Sequence, residues 1–387
     1  MLATYLKEDE RDWHSDEVDN LVESMALCYN TMKNISRNEW NRILKVELPV
    51  NRILYLAQKK GIQINIDDIE SKCRELHKEL YTLKNKIQLE LEVMDDDVEN
   101  YLSDRGINRP NLSKTEIEFQ QRTYPELELF LEVEKKEKNL SILLMLAATY
   151  KRYNKCYPTY KGFGTSTGRI TLRNPAMQNL SKRFRYLLED KALLLGQRFV
   201  YVDFGQFEAG ILAGLSNNDK FIDLYEKNQI YEELAKQIQG NRESAKIDFY
   251  RFIYGGNYSE KARPFFEKYD LVRLKDRLKE QAINNGYVES LLANRRIVKE
   301  DDRNANWLIN HYIQGTGSLV FKQALINVYE SYNKDVHLVL PMHDAALYIV
   351  SSRVTTDSII EEFKKAFNRW IPNVTPVINK KNFFEAD

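Results

Sequence analysis

Two aspartates in this sequence each stand at the end of a predicted β-strand. Residues 198–202 alternate like a buried strand that ends at Asp203, and apolar residues then recur at helical spacing over 207–215. Asp344 lies at the turn of a strand-turn-strand pattern over 336–350. If the two strands are neighbours in one sheet, the carboxylates meet. They could then hold two divalent cations ~3.5–4 Å apart, as two-metal phosphoryl transfer requires.

Other interpretations of Asp203 compete with this one. An aspartate at the end of a strand is more often a helix cap than a metal ligand. The letters DFG at 203–205 also occur in protein kinases, but the sequence has no HRD catalytic loop and no kinase-type glycine-rich strand pair. The glycines at 162, 164 and 168 do not have the spacing of a phosphate-binding loop. Neither a kinase nor a P-loop protein is therefore indicated.

A second pattern has cationic and aromatic residues four positions apart. Arg242, Lys246, Tyr250 and Tyr254 would form one stripe about 18 Å long on an α-helix. Cations at one end suit phosphate groups, and rings at the other suit a sugar and base. A solvated helix face that becomes core toward its end is the alternative. Asn310 and Gln314 form a shorter polar stripe.

Composition limits the function classes. With 387 residues, two or three subdomains are expected, and 57 basic against 57 acidic residues give no net charge. The charges are unevenly distributed, however, because residues 138–188 contain Lys and Arg but no Asp or Glu, interleaved with aromatic rings. This favours a phosphate-contacting surface. Three scattered cysteines, no signal peptide and no membrane-length apolar run indicate an intracellular protein.

The surrounding elements are mostly predicted helices. Alternation at Ile62, Ile64 and Ile66 predicts a short strand, and Asp67 with Glu70 predicts a capping box. Heptad-like spacing over 69–91 predicts a long helix, paired with a second helix from Pro125 to about residue 150. This pair is interpreted as a structural arm without chemistry of its own.

Six ordered segments together resemble the family A, or bacterial DNA polymerase I-like, DNA polymerases. They are TSTGRITLRNPAMQNL at 165–180, VYVDFGQFEAGILAGLS at 200–216, the Arg-x3-Lys-x3-Tyr-x3-Tyr-Gly segment at 242–255, GYVESLLANRR at 286–296, NHYIQGT at 310–316 and MHDA at 342–345. The resemblance extends from about residue 48 to the end. Their shared order and internal spacing are far more specific than any one segment.

The resemblance implies a role for each matching residue. Asp203 and Asp344 would be the catalytic metal ligands for two Mg²⁺ ions, with Mn²⁺ able to substitute. Arg242 and Lys246 would bind the incoming triphosphate and assist catalysis. The other implied nucleotide-binding residues are Gln206, Glu208, Tyr250 and Tyr254, and Glu208 would exclude a ribose 2′-hydroxyl. The implied primer and template contacts are Arg169, Asn174, Gln178, Asn179, Asn310, Gln314 and His343.

Three positions depart from the family pattern. Ala345 replaces the usual Glu after the catalytic Asp, which should change turnover or metal preference while leaving activity. Asn306 replaces an Arg, which should loosen primer–template contacts. Tyr250 stands where many bacterial members have Phe, and the family resemblance implies weaker discrimination against 3′-deoxy sugars.

The implied architecture is an α+β right-hand polymerase fold, with an antiparallel palm sheet and a helical thumb and fingers. Residues 1–47 would be a helical leader, a remnant linker. The palm would comprise 48–66, 146–225 and 303–387, the thumb 67–145 and the fingers 226–302. Since only this short leader precedes the polymerase-like region, we expect no exonuclease activity in the chain.

The implied function is template-directed addition of deoxynucleotides to a primer 3′-hydroxyl. Its partners would be primer–template DNA and deoxynucleoside triphosphates, with no membrane. We expect a cytoplasmic monomer, in the nucleoid or in a host cytoplasm. A separate exonuclease or processivity factor is a possible further partner, which the sequence leaves open. Two alternatives stay open. One is a single-subunit RNA polymerase, which Glu208 disfavours, and the other is a catalytically weak or silent primer–template-binding protein, which Ala345 favours.

Overall fold

The computed structural model describes residue 30 and residues 36–93, 98–104, 127–153, 155–188, 196–299 and 307–385. Pro125 and Asn306 therefore lie outside the described residues, as does most of the predicted leader. The first helices are α1 (Arg37–Arg42), a π-helical turn (Ile43–Glu47) and α2 (Leu48–Lys60). The Ser36 hydroxyl caps α1 by accepting a hydrogen bond from the backbone N–H of Glu39.

Two long helices, α3 (Ile66–Leu91) and α5 (Leu127–Tyr153), pack together as a helical hairpin, and α4 (Val98–Ser103) comes between them in sequence. Ion pairs join Glu70 to Lys151 and Lys84 to Glu137, so the two helices run antiparallel. The described part confirms the predicted helix pair.

The predicted start of this hairpin was wrong in two details. Asn65, not Asp67, caps α3 by accepting from the backbone N–H of Asp68, so Asp67 lies inside the first turn. The predicted strand reduces to one bridge between Ile62 and Cys156, because Ile66 already begins the helix. A short polar side chain at residue 65 satisfies a free helix N–H, which the alternating isoleucines could not do.

The remaining elements follow in chain order. They are β1 (Thr159–Lys161), β2 (Thr171–Arg173), 3₁₀ turns at Met177–Asn179 and Lys182–Leu188, β3 (Gln197–Phe204), α6 (Phe207–Ser216), α7 (Asp219–Glu226), α8 (Ile230–Ile238), α9 (Arg242–Tyr254), a 3₁₀ turn at Glu260–Ala262, α10 (Arg263–Lys268), α11 (Leu271–Asn285), β4 (Tyr287–Glu289), β5 (Arg295–Ile297), α12 (Trp307–Tyr332), β6 (Val336–Met342), β7 (Ala345–Ser351), α13 (Thr356–Asn368) and β8 (Ile378–Lys381). The predicted hairpin over 286–297 is confirmed as β4 and β5.

A four-stranded antiparallel sheet in the order β6-β7-β3-β8 forms the scaffold. Side chains alternate between the two faces of β3, so Val202 and Phe204 are buried on the face opposite Asp203. The Phe204 ring stacks on Phe207 of α6 with ring centroids 4.2 Å apart, and its centroid lies 5.2 Å from that of Phe363 of α13. This aromatic packing fixes the strand end that carries Asp203.

The chain divides into two compact units. The first comprises residues 1–60, 160–172 and 193–382 and contains the four-stranded sheet. The second comprises residues 61–159, 173–192 and 383–387 and contains the α3–α5 hairpin. The finer division into palm, thumb and fingers stays a prediction. Among the described helices, none combines the length and the apolar character that a membrane span requires.

Candidate active site

Asp203 and Asp344 come together because their strands are neighbours. In the β3–β7 pairing, Asp203 lies opposite Ala345, the residue directly after Asp344. The backbone N–H of Phe204 donates to the Asp344 carbonyl at 3.3 Å. The sequence predicted that the two carboxylates meet if their strands are neighbours in one sheet. The structure shows that the strands are neighbours.

The two carboxylates influence each other. Burial, and then the nearby charge of Asp203, raise the pKa of Asp344 from its ordinary value to about 7. On its other side, Asp203 accepts a 2.5 Å hydrogen bond from the Lys381 ammonium of β8. The site thus concentrates negative charge that a cation would stabilise.

These carboxylates fit the hard divalent cation that the resemblance implies. Magnesium is commonly bound through one or two carboxylates, together with waters and substrate phosphates. The described residues contain no group of three or more His, Cys, Asp or Glu side chains that could hold a metal ion. Ala345, where the family pattern has a Glu, faces Asp203 on one side and Met342 on the other. Among the described residues, the candidate ligands are therefore the two aspartates, and no carboxylate stands at residue 345.

Gln206 and His343 flank the acids in an unusual backbone conformation. Their φ angles are +47° and +55°, in the left-handed region that side chains other than glycine seldom adopt. The Gln206 amide nitrogen donates to Asn228, while its oxygen is buried without a hydrogen bond among the described residues. His343 is exposed at the β6–β7 turn. Strained positions of this kind cluster at functional sites.

Glu208 is held on both of its carboxylate oxygens. Arg169 donates to Oε1 at 2.8 Å, and the Tyr254 hydroxyl donates to Oε2 at 2.6 Å. Glu208 itself lies in the first turn of α6 and is only 8% exposed. Burial, and then the Glu208 charge, raise the pKa of Tyr254, so this phenol stays protonated and donates. Three predicted site residues therefore form one network.

Arg169 is positioned by a tight loop. Gly168 has a φ of +78°, and its carbonyl accepts a 2.5 Å hydrogen bond from the Ser318 hydroxyl of α12. The backbone N–H of Arg169 donates to the Thr165 hydroxyl at 3.1 Å. These bonds attach the loop to a buried helix, so the guanidinium reaches Glu208 from a fixed backbone.

The predicted stripe over 242–254 coincides with helix α9. Asn241 and Ser244 form a reciprocal capping box at its start, and Gly255 ends it in the left-handed conformation. The rings of Tyr250 and Tyr254 stack with centroids 5.6 Å apart. The helical stripe that the spacing indicated is confirmed.

The cationic end of α9 is open to solvent. Arg242 is paired with Glu232 at 2.7 Å, although both side chains remain about half exposed. Lys246 is exposed and has no ion pair or hydrogen bond within the described part of the chain. Exposed cations of this kind are available to an anionic ligand.

Tyr231 of α8 is a site residue that sequence reasoning missed. The Arg242 guanidinium lies 5.3 Å from the centre of its ring. Its hydroxyl is buried, and burial together with the neighbouring Tyr250 raises its pKa. Tyr231 thus contacts the cationic end of the α9 stripe at Arg242 and lies beside Tyr250 in its aromatic part. No spacing relates it to α9, so only tertiary packing could identify it.

Asn310 and Gln314 lie on α12, which packs closely on α6. A Cβ on Gly317 would come within about 3.1 Å of Phe207 and Ile211, so glycine allows the helices to approach. Gln314 interacts with the Tyr254 hydroxyl and lowers its pKa against the effect of burial. The Asn310 Oδ1 is buried and lacks a hydrogen bond among the described residues. It is an unsatisfied acceptor, which is costly unless a ligand or water pairs with it.

Three predicted template contacts belong to the second unit. Asn174 and Asn179 are exposed, and Gln178 is partly buried. They surround the short 3₁₀ turn at Met177–Asn179. Their predicted role stays a prediction.

Comparisons with known proteins give a consistent result. The family model described as "DNA polymerase family A" matches residues 55–371. DNA polymerase I of Caldicellulosiruptor bescii is 23% identical over 88% of this chain and 47% of its own length. The thermostable DNA polymerase I of Thermus thermophilus is 22% identical over 95% of this chain and 50% of its own. This chain thus spans about half the length of these curated relatives.

A solved structure matches nearly the whole chain. It is the POL domain of Pol1 from M. smegmatis, in complex with a DNA primer-template and dNTP. The TM-score is 0.77 at 18% identity, over 98% of this chain and 77% of the other. This match confirms the predicted α+β right-hand fold.

Proposed function

The chain belongs to DNA polymerase family A, and from that premise we propose that it adds deoxynucleotides to a primer 3′-hydroxyl under the direction of a template strand. The observation that carries this proposal is the convergence of Asp203 and Asp344 at the ends of neighbouring strands, beside Tyr250 of α9, whose pKa is raised by burial and then by the charges of Glu208 and Asp344. A protein that only binds nucleic acid gains little from adjacent, partly buried carboxylates that repel each other.

Asp203 and Asp344 would hold the divalent cations. When bound, two magnesium ions supply activation of the primer hydroxyl and neutralisation of the leaving pyrophosphate. Asp344, whose pKa is raised to about 7, is partly protonated near neutral pH without a metal. Binding a cation favours its charged form, so metal binding releases a proton from this carboxyl.

The residues of α9 would bind and orient the nucleotide. Lys246 and Arg242 offer exposed positive charge for the triphosphate. The stacked pair Tyr250 and Tyr254 offers an apolar surface for the sugar and base. For Arg242 to bind phosphate, it exchanges its surface pairing with Glu232, which costs little because such exposed pairs are weak.

Glu208 would discriminate between ribose and deoxyribose in the incoming nucleotide. Its carboxylate is buried and held by Arg169 and Tyr254, so it cannot swing aside for an extra hydroxyl. This favours a DNA polymerase over the single-subunit RNA polymerase alternative. Asn310, with its unsatisfied buried acceptor, and Gln314 would contact the edge of the new base pair and primer end.

Ala345 favours one further candidate, a protein that binds primer–template but turns over weakly or not at all. The decisive experiment is primer extension with magnesium, using the full chain and its Asp203→Asn and Asp344→Asn variants. We expect the parent to extend the primer, and each variant to lose extension by at least about a thousandfold while still binding duplex. Extension by either variant contradicts the two-acid mechanism, and an inactive parent that binds duplex supports the binding-protein candidate.

The absence of proofreading, the monomeric state and a separate exonuclease or processivity factor remain predictions. Extension of a primer with a mismatched, labelled 3′ end tests the first of them. We expect no release of the terminal nucleotide by this chain. Sedimentation of the purified chain with and without primer–template tests the second.

A further inference from the structure

Lys381 on the edge strand β8 reaches the acidic pair from a neighbouring strand. In the β3–β8 register, Lys381 lies opposite Tyr201 and Asn379 lies opposite Asp203. Lys381 and Asp203 are therefore diagonal neighbours on the same sheet face, a separation that a long side chain can span. The ammonium Nζ lies 2.5 Å from Asp203 Oδ2.

This contact differs from an ordinary surface ion pair. The Lys381 side chain is 47% exposed, whereas the Asp203 side chain is only 16% exposed and stands beside Asp344. The Lys381 side chain can thus move into solvent, whereas the Asp203 carboxylate is held within the site. Ala345 occupies the position opposite Asp203 in the β3–β7 register, so no carboxylate side chain stands at that position. The singly charged Lys381 ammonium therefore contacts Asp203, one of the two proposed ligands of the divalent cations.

We propose that Lys381 is a built-in competitor for the metal at Asp203, a positioning residue whose ammonium occupies one carboxylate oxygen until a divalent cation displaces it into solvent. This inference rests on the proposed function, because it takes Asp203 as a metal ligand. An ammonium near 2.5 Å from Oδ2 and a cation bound to the same oxygen repel each other, so both cannot hold it fully. The dissociation constant of the divalent cation would consequently be higher than it would be for the two aspartates without Lys381.

The test measures metal binding rather than synthesis. Mn²⁺ is titrated into the metal-free full chain without DNA, and free Mn²⁺ is followed by electron paramagnetic resonance. Lys381→Met should lower the Mn²⁺ dissociation constant about two- to fivefold, the range expected for loss of a partly exposed ion pair. Lys381→Arg should remain close to the parent, because it keeps the charge.

Lys380→Met is the matched control. Lys380 is the preceding residue of β8, is also exposed, and lies opposite Val202 on the other sheet face. The Lys380→Met substitution removes the same charge without altering the contact to Asp203. Any effect of net charge alone on Mn²⁺ affinity therefore appears in both variants. A second readout is thermal unfolding, where added Mn²⁺ should raise the midpoint of Lys381→Met more than that of Lys380→Met.

Every outcome decides the inference. Equal dissociation constants for the two Met variants, weaker binding by Lys381→Met, or no Mn²⁺ binding by any form each overturn it. Tighter binding by Lys381→Met alone supports it. Primer extension by the parent is scored separately: an inactive parent with the expected Mn²⁺ series rejects the polymerase proposal but keeps the competition. An active parent with no difference between the variants rejects only the role of Lys381.

Discussion

The Tyr254 hydroxyl donates a 2.6 Å hydrogen bond to Glu208, and the two residues come from different helices of the same unit. Arg169 engages the second carboxylate oxygen at 2.8 Å. Glu208 therefore has one available orientation. A side chain that is fixed in this way can discriminate between sugars that differ by one hydroxyl.

Removing this carboxylate should relax the choice of sugar. We expect Glu208→Ala to raise the ratio of ribonucleotide to deoxynucleotide incorporation about ten- to a hundredfold, because space opens where the 2′-hydroxyl would lie. Tyr254→Phe, which deletes only one hydrogen bond to Glu208, should have a smaller effect in the same direction. Single-nucleotide extension with each triphosphate measures the ratio. An unchanged ratio in Glu208→Ala would locate sugar selection elsewhere.

The Tyr250 hydroxyl should influence the use of chain terminators. Tyr250→Phe is expected to reduce dideoxynucleotide incorporation relative to deoxynucleotides by about fivefold or more, the worth of roughly one hydrogen bond. Competition between the two triphosphates on one primer measures this. Tyr269→Phe, a buried tyrosine packed against Phe221 with no proposed role, is the control. Equal use of terminators by the Tyr250→Phe variant and the parent would refute the role inferred from the family resemblance.

A buried ion network attaches the π-helical turn at Ile43–Glu47 to α12. Glu47 binds Lys322 through one oxygen and Arg42 through the other, each at 2.6 Å. Glu47→Gln should lower the free energy of unfolding by about 3–5 kcal/mol, because the buried Lys322 loses its counter-ion and Arg42 keeps only its longer, 3.5 Å contact with Glu39. Lys322→Met should cost less, since Glu47 keeps Arg42.

Urea unfolding of both variants measures these differences. The exposed pair of Lys227 and Asp223 provides the control, and Lys227→Met should change stability by less than about 1 kcal/mol. A smaller loss for Glu47→Gln than for Lys322→Met would contradict the network as described.

His311 should make stability depend on pH. Its Nε2 donates to the Asn294 carbonyl at 3.1 Å, and its other ring nitrogen is buried and has no hydrogen bond to any described residue. Burial lowers the pKa of His311 to about 4, below the ordinary value of 6.5. The unfolded chain therefore binds more protons between these values. The stability that neutral His311 supplies is present above pH 6.5 and is lost as the pH falls toward 4, by up to about 3 kcal/mol.

His311→Gln, which can still donate to Asn294, should flatten this dependence. The difference in unfolding free energy between parent and variant, measured from pH 4 to 7.5, isolates the His311 contribution from that of His337, whose pKa is also lowered. A parent–variant difference that does not change with pH would show that His311 does not titrate as described.

The local parts of the site were predictable from sequence. The α9 stripe follows from four-residue spacing, because the period of a helix alone decides which residues share a face. Local alternation predicted the strand that carries Asp203 near its end, and turn residues predicted the β6–β7 turn that carries Asp344. The start of α3 was misplaced because Asn65 was not identified as the competing cap.

The sequence by itself determined which residues could do chemistry, since their types and short-range spacing are written in order along the chain. The tertiary structure alone decided which of them meet. Strand pairing is set by hydrogen bonds between distant segments, and it brings β8 beside β3 although Lys381 is 178 residues from Asp203. The burial of Lys322 against Glu47, 275 residues away, depends likewise on packing that no local period encodes.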